Sequence, residues 1–215
     1  MLRRIFIRLV LPLVWRLSRR RAAESLDEFS ATELDSAWQS LQTIGALKDP
    51  KSRAEAFEHV REEMRHARLF REASSKVRNG PARVPLGERQ ALAELSDKDG
   101  LMQFFAREYW GEREVNADFA AYLASAPIEE ARRVFAAVVA DEAGHASFTA
   151  RAMLRHAPSK GAARRAVRAA AWERLRYSWE RFGRFIGEVP AFFIFGAIYL
   201  VAALLLSRAA RRQLS

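Results

Sequence analysis

Two of the four histidines in this sequence have a glutamate three positions earlier. They are His66, within Glu62-Glu63-Met64-Arg65-His66, and His145, within Asp141-Glu142-Ala143-Gly144-His145. Residues three apart share a helical face, so each motif can offer a carboxylate and an imidazole to one point. Phe57, Val60, Ala67 and Phe70 put Glu63 and His66 on an inward stripe, and Phe135, Val138, Ala146 and Thr149 do the same for Glu142 and His145. A glutamate on a buried stripe is costly unless it is paired or bound to metal. The chain has no cysteine, which excludes disulfides, iron–sulfur clusters and thiolate iron sites. Any metal is therefore held by histidine and carboxylate.

Two further glutamates complete the pattern. Glu33 precedes Glu63 by thirty residues, and Glu112 precedes Glu142 by the same interval. The second set repeats the first at an offset of 79, carrying Glu33 to Glu112, Glu63 to Glu142 and His66 to His145. Reflected about a hairpin turn, Glu33 comes level with Glu63 and Glu112 with Glu142. Four carboxylates and two imidazoles then meet in the middle of a bundle, a donor set that suits two iron ions, or manganese, better than zinc or copper. The competing reading is a plain helical bundle with surface Glu–His pairs. One Glu-x-x-His is a weak signal, whereas two in register with equally spaced glutamates are specific. Glu108, one turn before Glu112, is a secondary candidate, as a seventh ligand or an entry carboxylate, against simple packing or a rim charge. Tyr109 and Trp110 read as packing aromatics. His59 and His156 lack a glutamate three positions earlier and read as ordinary surface or interface residues.

The elements that must position these groups are helices. Half the residues are hydrophobic, Gly and Pro are scarce, and alternating strand patterns are essentially absent. A first helix runs from Ala23 to about Leu47. Asp49-Pro50 reads as an N-cap followed by proline at the first helical position, opening a second helix to about Lys76. Asn79-Gly80-Pro81 and Pro85-Leu86-Gly87 break the helix, and a crossover continues to Asp99-Gly100. A third helix covers Leu101 to Ala124, and Pro127 opens a fourth that ends near Ala157-Pro158. Two hairpins joined by a longer connection give the chain path of a ferritin-like four-helix bundle over residues 23–157.

Both ends differ from this middle. Residues 1–21 pair a short apolar run with arginines at 4, 8, 16 and 20, the pattern of a basic amphipathic interfacial helix. Residues 158–188 are Arg-rich and aromatic. Val189 to Leu206 carries no charge and approaches the roughly 20 residues a bilayer needs, so 189–206 is expected to be a transmembrane helix followed by a basic tail, 207–215. The net charge of +10 sits mainly beside these apolar ends, which favours anionic lipid as its partner. No nucleic-acid-binding motif accompanies it. The denser basic cluster upstream of the span favours a cytoplasmic bundle with a single-pass C-terminal anchor.

The pattern Glu, Glu-x-x-His, Glu, Glu-x-x-His resembles the ferritin-like di-iron carboxylate superfamily. The segment Ala140-Asp141-Glu142-Ala143-Gly144-His145 is similar to the fourth-helix motif of rubrerythrins, alternative oxidases and demethoxyubiquinone hydroxylases. The resemblance implies that Glu63 and Glu142 bridge two metals, that Glu33 and Glu112 are terminal carboxylates, and that His66 and His145 are terminal nitrogen ligands. It also implies that Asp141 hydrogen-bonds a ligand histidine from outside the metal's own ligand set. The chain departs from rubrerythrins in lacking a cysteine-bound iron domain, and from ordinary ferritins in its expected membrane anchor.

The expected function is a membrane-anchored di-iron oxidoreductase that reacts with oxygen or peroxide and draws electrons or substrate from an external donor such as a quinol or lipid. A homodimer is compatible with this expectation. The first alternative is iron handling by an iron-binding or ferroxidase protein, which calls for surface carboxylates leading to the site. A second alternative is a metal-free helical membrane adaptor.

Overall fold

A computed structural model of the chain describes residues 2–84, 100–177 and 179. Six helices are defined: α1 (Leu2–Leu9), α2 (Leu11–Leu17), α3 (Arg19–Ile44), α4 (Pro50–Arg78), α5 (Gly100–Ser125) and α6 (Glu129–His156). Residues 160–177 are helical as well. The chain forms two compact units, Met1–Ala170 and Ala171–Ser215, and the packing described below lies within the first.

Local chemistry sets the helix ends. The Asp49 carboxylate accepts from the backbone N–H groups of Lys51 and Ser52 at 3.3 and 2.9 Å, and Pro50 occupies the first turn, where it has no hydrogen bond to lose. Asn79 ends α4 in the left-handed conformation, with φ of 56°, and Gly80 N–H returns to the Ser75 carbonyl at 3.1 Å. Ser18 caps α3 by accepting from Arg21 N–H, so α3 starts at Arg19 and leads directly out of the N-terminal segment. Pro12 sits in the first turn of α2, and its missing N–H separates α1 from α2 at Val10.

The α3–α4 pair is an antiparallel hairpin with a small-residue seam. Ser30 Oγ donates to the Ala67 carbonyl at 2.8 Å and Ser74 Oγ donates to the Ala23 carbonyl at 3.1 Å, which fixes the register across the pair. The same register brings Glu33 level with Glu63. Below this level lies an aromatic plug in which Phe29 meets Phe70, Phe119, Tyr122 and Phe135 at ring-centroid distances of 5.4, 5.5, 4.9 and 5.6 Å. Above it a second apolar cluster gathers Ala56, Phe104, Phe105, Phe148 and Ala152, with Ala163 and Ala166 packed against it. The glutamates and histidines lie between two dry layers.

The structure corrects the expectations about the ends. No helix among the described residues is long and apolar enough to cross a membrane. The expected span, 189–206, lies outside the described residues. The fold is therefore an all-α helical bundle in which no described helix is transmembrane, and the membrane-bound di-iron oxidase resemblance, the lipid partner and the single-pass membrane localisation are not retained. The N-terminal segment gives a physical reason. Its stripe of Ile7, Leu11 and Trp15 is buried in the bundle core, and Trp15 stacks on Tyr122 and Phe135 at 5.9 and 6.4 Å. Arg4, assigned from sequence to lipid headgroups, pairs with Asp118 on α5 at 3.1 Å. The arginine-striped helix is a strut of the bundle, although Phe6, Leu9, Leu13 and Leu17 on its other side stay exposed.

Trp15 is 1% exposed and sits against the plug. Trp15→Ala is expected to destabilise the protein by about 3–5 kcal/mol in urea unfolding of the full chain, the usual loss for a fully buried large aromatic. A loss below about 1 kcal/mol, typical of a surface position, would show that the N-terminal helices are not part of the core.

Candidate metal centre

Each helix of the bundle sends acid or imidazole to the same level. On α4, His59, Glu63 and His66 fall four and three residues apart and share one face. On α6 the pair is Glu142 and His145; Glu33 comes from α3 and Glu112 from α5. All seven side chains are buried, and His66 has no exposed surface. His66 Nδ1 lies 3.6 Å from Glu33 Oε2 and 3.5 Å from Glu142 Oε1. His145 Nδ1 lies 2.9 Å from Glu63 Oε1, 3.7 Å from Glu112 Oε2 and 3.5 Å from Glu142 Oε2. The two oxygens of Glu142 thus face different histidines.

The donor atoms form two overlapping groups, His59–Glu63–Glu112–His145 and Glu63–His66–Glu142–His145, each with its atoms within 4.8 Å of one another. Glu63 and His145 belong to both. Glu33 closes the second group through His66 and hydrogen-bonds Glu63. Glu108 is buried one turn before Glu112 but is not in either group. His59 corrects the expectation of an ordinary surface or interface residue. It is 3% exposed, and its Nε2 lies 3.5 Å from Glu112 Oε1 and 3.9 Å from Glu63 Oε1. The signal for it was its position four residues before Glu63, on the face that carries His66. His156 is a half-buried residue that stacks on Phe105 at 6.2 Å, away from the cluster.

A partner on the far side holds each imidazole. His66 Nε2 is 3.1 Å from Asp141 Oδ2, and His145 Nε2 is 3.0 Å from Glu62 Oε2. Asp141 and Glu62 are related by the same offset of 79 as the buried glutamates. Each motif therefore supplies the acid that orients the other motif's histidine. In the neutral ring, donation of Nε2–H to that carboxylate leaves the Nδ1 lone pair for the middle of the cluster. Arg65 pairs with Asp141 and holds it over His66.

Electrostatics match a site built for cations. Burial, with the charges of Glu142 and Glu112, pushes the Glu33 carboxyl up to about 8. Burial and the neighbouring Glu33 also raise Glu63. Burial works against charge on His145, but the carboxylates of Glu112, Glu142 and Glu63 close to its Nδ1 outweigh it and raise its pKa. His59 is pushed down to about 4 by burial, assisted by His145 and His66 and opposed by Glu112. Of the eight buried side-chain atoms without a hydrogen-bond partner among the described residues, five are here: both nitrogens of His59, Nδ1 of His66 and of His145, and Oε2 of Glu142. Such orphaned atoms are rare in folded proteins and expensive. Two divalent cations would satisfy them together and neutralise the carboxylates, so the residues fit a two-metal centre.

Residues 45–153 match the rubrerythrin family. That segment, just over half of the chain, contains all of these groups except Glu33. No curated protein matches the chain.

The metal-free protein should show the strain of this cluster in its pH dependence. His59, lowered on folding, is neutral in the folded chain above pH 6.5, and the proton that its unfolded form still holds just above that pH opposes the Glu33 effect only in part. Glu33, raised from 4.5 to about 8, binds a proton in the folded chain that the unfolded chain has released. Stability therefore falls as pH rises from 6.5 to 8, with the raised Glu63 and His145 acting in the same direction. Urea midpoints in chelator should drop over this interval, and Glu33→Gln should flatten the drop. An equal drop in wild type and variant would show that Glu33 does not hold the proton.

Proposed function

Because the chain belongs to the rubrerythrin family, we propose that its buried cluster is a di-iron carboxylate centre of the ferroxidase kind, serving iron handling. Ferrous iron is the substrate, and oxygen or peroxide is the acceptor. In this reading Glu63 and Glu142 bridge the two ions, Glu33 and Glu112 are terminal carboxylates, and His66 and His145 are terminal nitrogen ligands. The membership of Glu63 in both donor groups and the division of Glu142 between the two histidines support the bridging roles.

The observation that favours iron as substrate is the pair of carboxylates over the histidines. The side chains of Glu62 and Asp141 are 37% and 29% exposed, yet each touches the Nε2 of a buried imidazole. A carboxylate thus lies at the partly exposed edge of each half of the cluster, that of Asp141 paired with Arg65, and carboxylates there suit a small cation better than an apolar organic substrate.

Ferrous iron held by these residues would supply one electron per ion to the acceptor. The protein's residues manage charge and protons around that exchange. Glu33 and Glu63 give up the protons they hold in the metal-free state, and those protons are available for the acceptor's reduction. The four carboxylates balance the four positive charges of two ferrous ions. Glu62 and Asp141 fix the tautomer of the histidines, and the aromatic plug of Phe29, Phe70, Phe119 and Phe135 keeps water from one side.

Anaerobic loading with ferrous iron should give about two ions per chain by elemental analysis. Glu63→Ala and Glu142→Ala should lose this iron, and mixing the loaded wild type with oxygen or peroxide should oxidise it. Glu62→Ala and Asp141→Ala should keep the fold but load or oxidise iron about tenfold more weakly or slowly. A wild type that stays iron-free under these conditions would sink the metal centre. One that binds iron but leaves it ferrous in the presence of both acceptors would sink the ferroxidase reading alone.

A further inference from the structure

The offset of 79 that relates the two halves of the cluster has one exception at its centre. Glu33, Glu62, Glu63 and His66 map onto Glu112, Asp141, Glu142 and His145, so acid answers acid and imidazole answers imidazole. His59 maps onto Val138. Both are buried and each lies one turn before a central glutamate, but Val138 is part of the apolar core beside the plug. His59 instead faces Glu112 and Glu63 at 3.5 and 3.9 Å, with its ring 4.4 Å from that of His145 and nearly perpendicular to it.

We propose that His59 is a further metal ligand, and that it makes the two metal positions unequal. His145 belongs to both donor groups, but its Nδ1 can bind one ion only; with that nitrogen at the position beside Glu112, this position receives two nitrogens and the position beside Glu33 and His66 receives one. This inference rests on the two-metal reading of the cluster and adds the order in which the positions fill. A buried histidine that only packs would use at least one ring nitrogen in a hydrogen bond, whereas both nitrogens of His59 are buried without a partner. Its contact with Phe148, at 5.3 Å between ring centroids, satisfies neither nitrogen. Imidazole raises the affinity of a carboxylate site for later first-row divalent ions. The first ion therefore occupies the His59 position and the second the Glu33–His66 position.

The experiment is an anaerobic titration of the full-length metal-free protein with cobalt(II), followed by calorimetry and visible absorption. Wild type is expected to bind two ions in two steps, the first about tenfold or more tighter than the second. His59→Val, which installs the residue of the other half, should weaken the tight step by about tenfold or more and bring the two steps together. The metal-free valine variant should melt no lower than wild type, because the change removes two unsatisfied buried nitrogens. His59→Gln keeps a polar group of similar size and gives the same readout should the valine variant fail to fold. Two cobalt ions bound with unchanged affinities in both variants would overturn the proposal and leave the two-metal reading intact. A variant that melts lower while keeping both steps would identify His59 as packing alone. A wild type that binds no cobalt overturns this proposal together with the reading beneath it.

Discussion

Gathering four carboxylates and three imidazoles into a space from which water is excluded is the constraint on which the rest of this bundle depends. A carboxylate transferred to a dry interior either takes up a proton or finds a cation. Without a cation the folded chain favours the first course at Glu33 and Glu63, whose carboxyls burial pushes up. Even so it leaves histidine nitrogens and a carboxylate oxygen without partners. The folded scaffold must therefore be stable enough to carry a polar centre that opposes its own burial.

The packing answers that demand in layers. Serine-to-carbonyl bonds and alanines let α3 and α4 approach closely, so the Glu33–Glu63 level is set by backbone geometry more than by the acids themselves. The aromatic plug lies below the centre and a second apolar cluster lies above it. The N-terminal helices add Trp15, Leu11 and Ile7 to the lower layer, which explains why an arginine-striped segment belongs to the bundle. Glu62 and Asp141 form the only half-exposed polar contacts to the ligand histidines that are described, and they cross between the two repeats. Each half of the centre is thus oriented by the other, which favours assembly as a unit.

Internal repetition explains much of the symmetry and makes its exception informative. Two helical hairpins with equivalent residues, facing one another, produce two nearly equivalent groups of donor side chains. At one end of the centre the repeat places Phe29 and Val138; at the other it places Glu108 and His59. One end is sealed by hydrocarbon and the other carries buried acid and imidazole. A difference of this kind gives the two donor groups unequal chemistry while they keep Glu63 and His145 in common.

Much of the site was legible in the sequence because helical periodicity is local. Glu-x-x-His at 63–66 and 142–145, the matching glutamates at 33 and 112, and the Asp49-Pro50 helix start depend on residues a few positions apart or on equal hairpin arms, and a single strand of text records both. What lies outside those relations was decided by tertiary contact. His59 shares a face with Glu63 and His66, but only the approach of Glu112 from α5 and His145 from α6 makes that face a ligand shell. The pairing of Glu62 with His145 crosses between hairpins and is not encoded in spacing, and for Asp141, expected from the resemblance to hold a histidine, only tertiary contact picked out His66. The stripe of Ile7, Leu11 and Trp15 is equally visible in the sequence, yet an apolar stripe buries itself equally well against lipid or protein. Here the plug of Tyr122 and Phe135 and the carboxylate of Asp118 offered it a protein surface, and packing chose between the two.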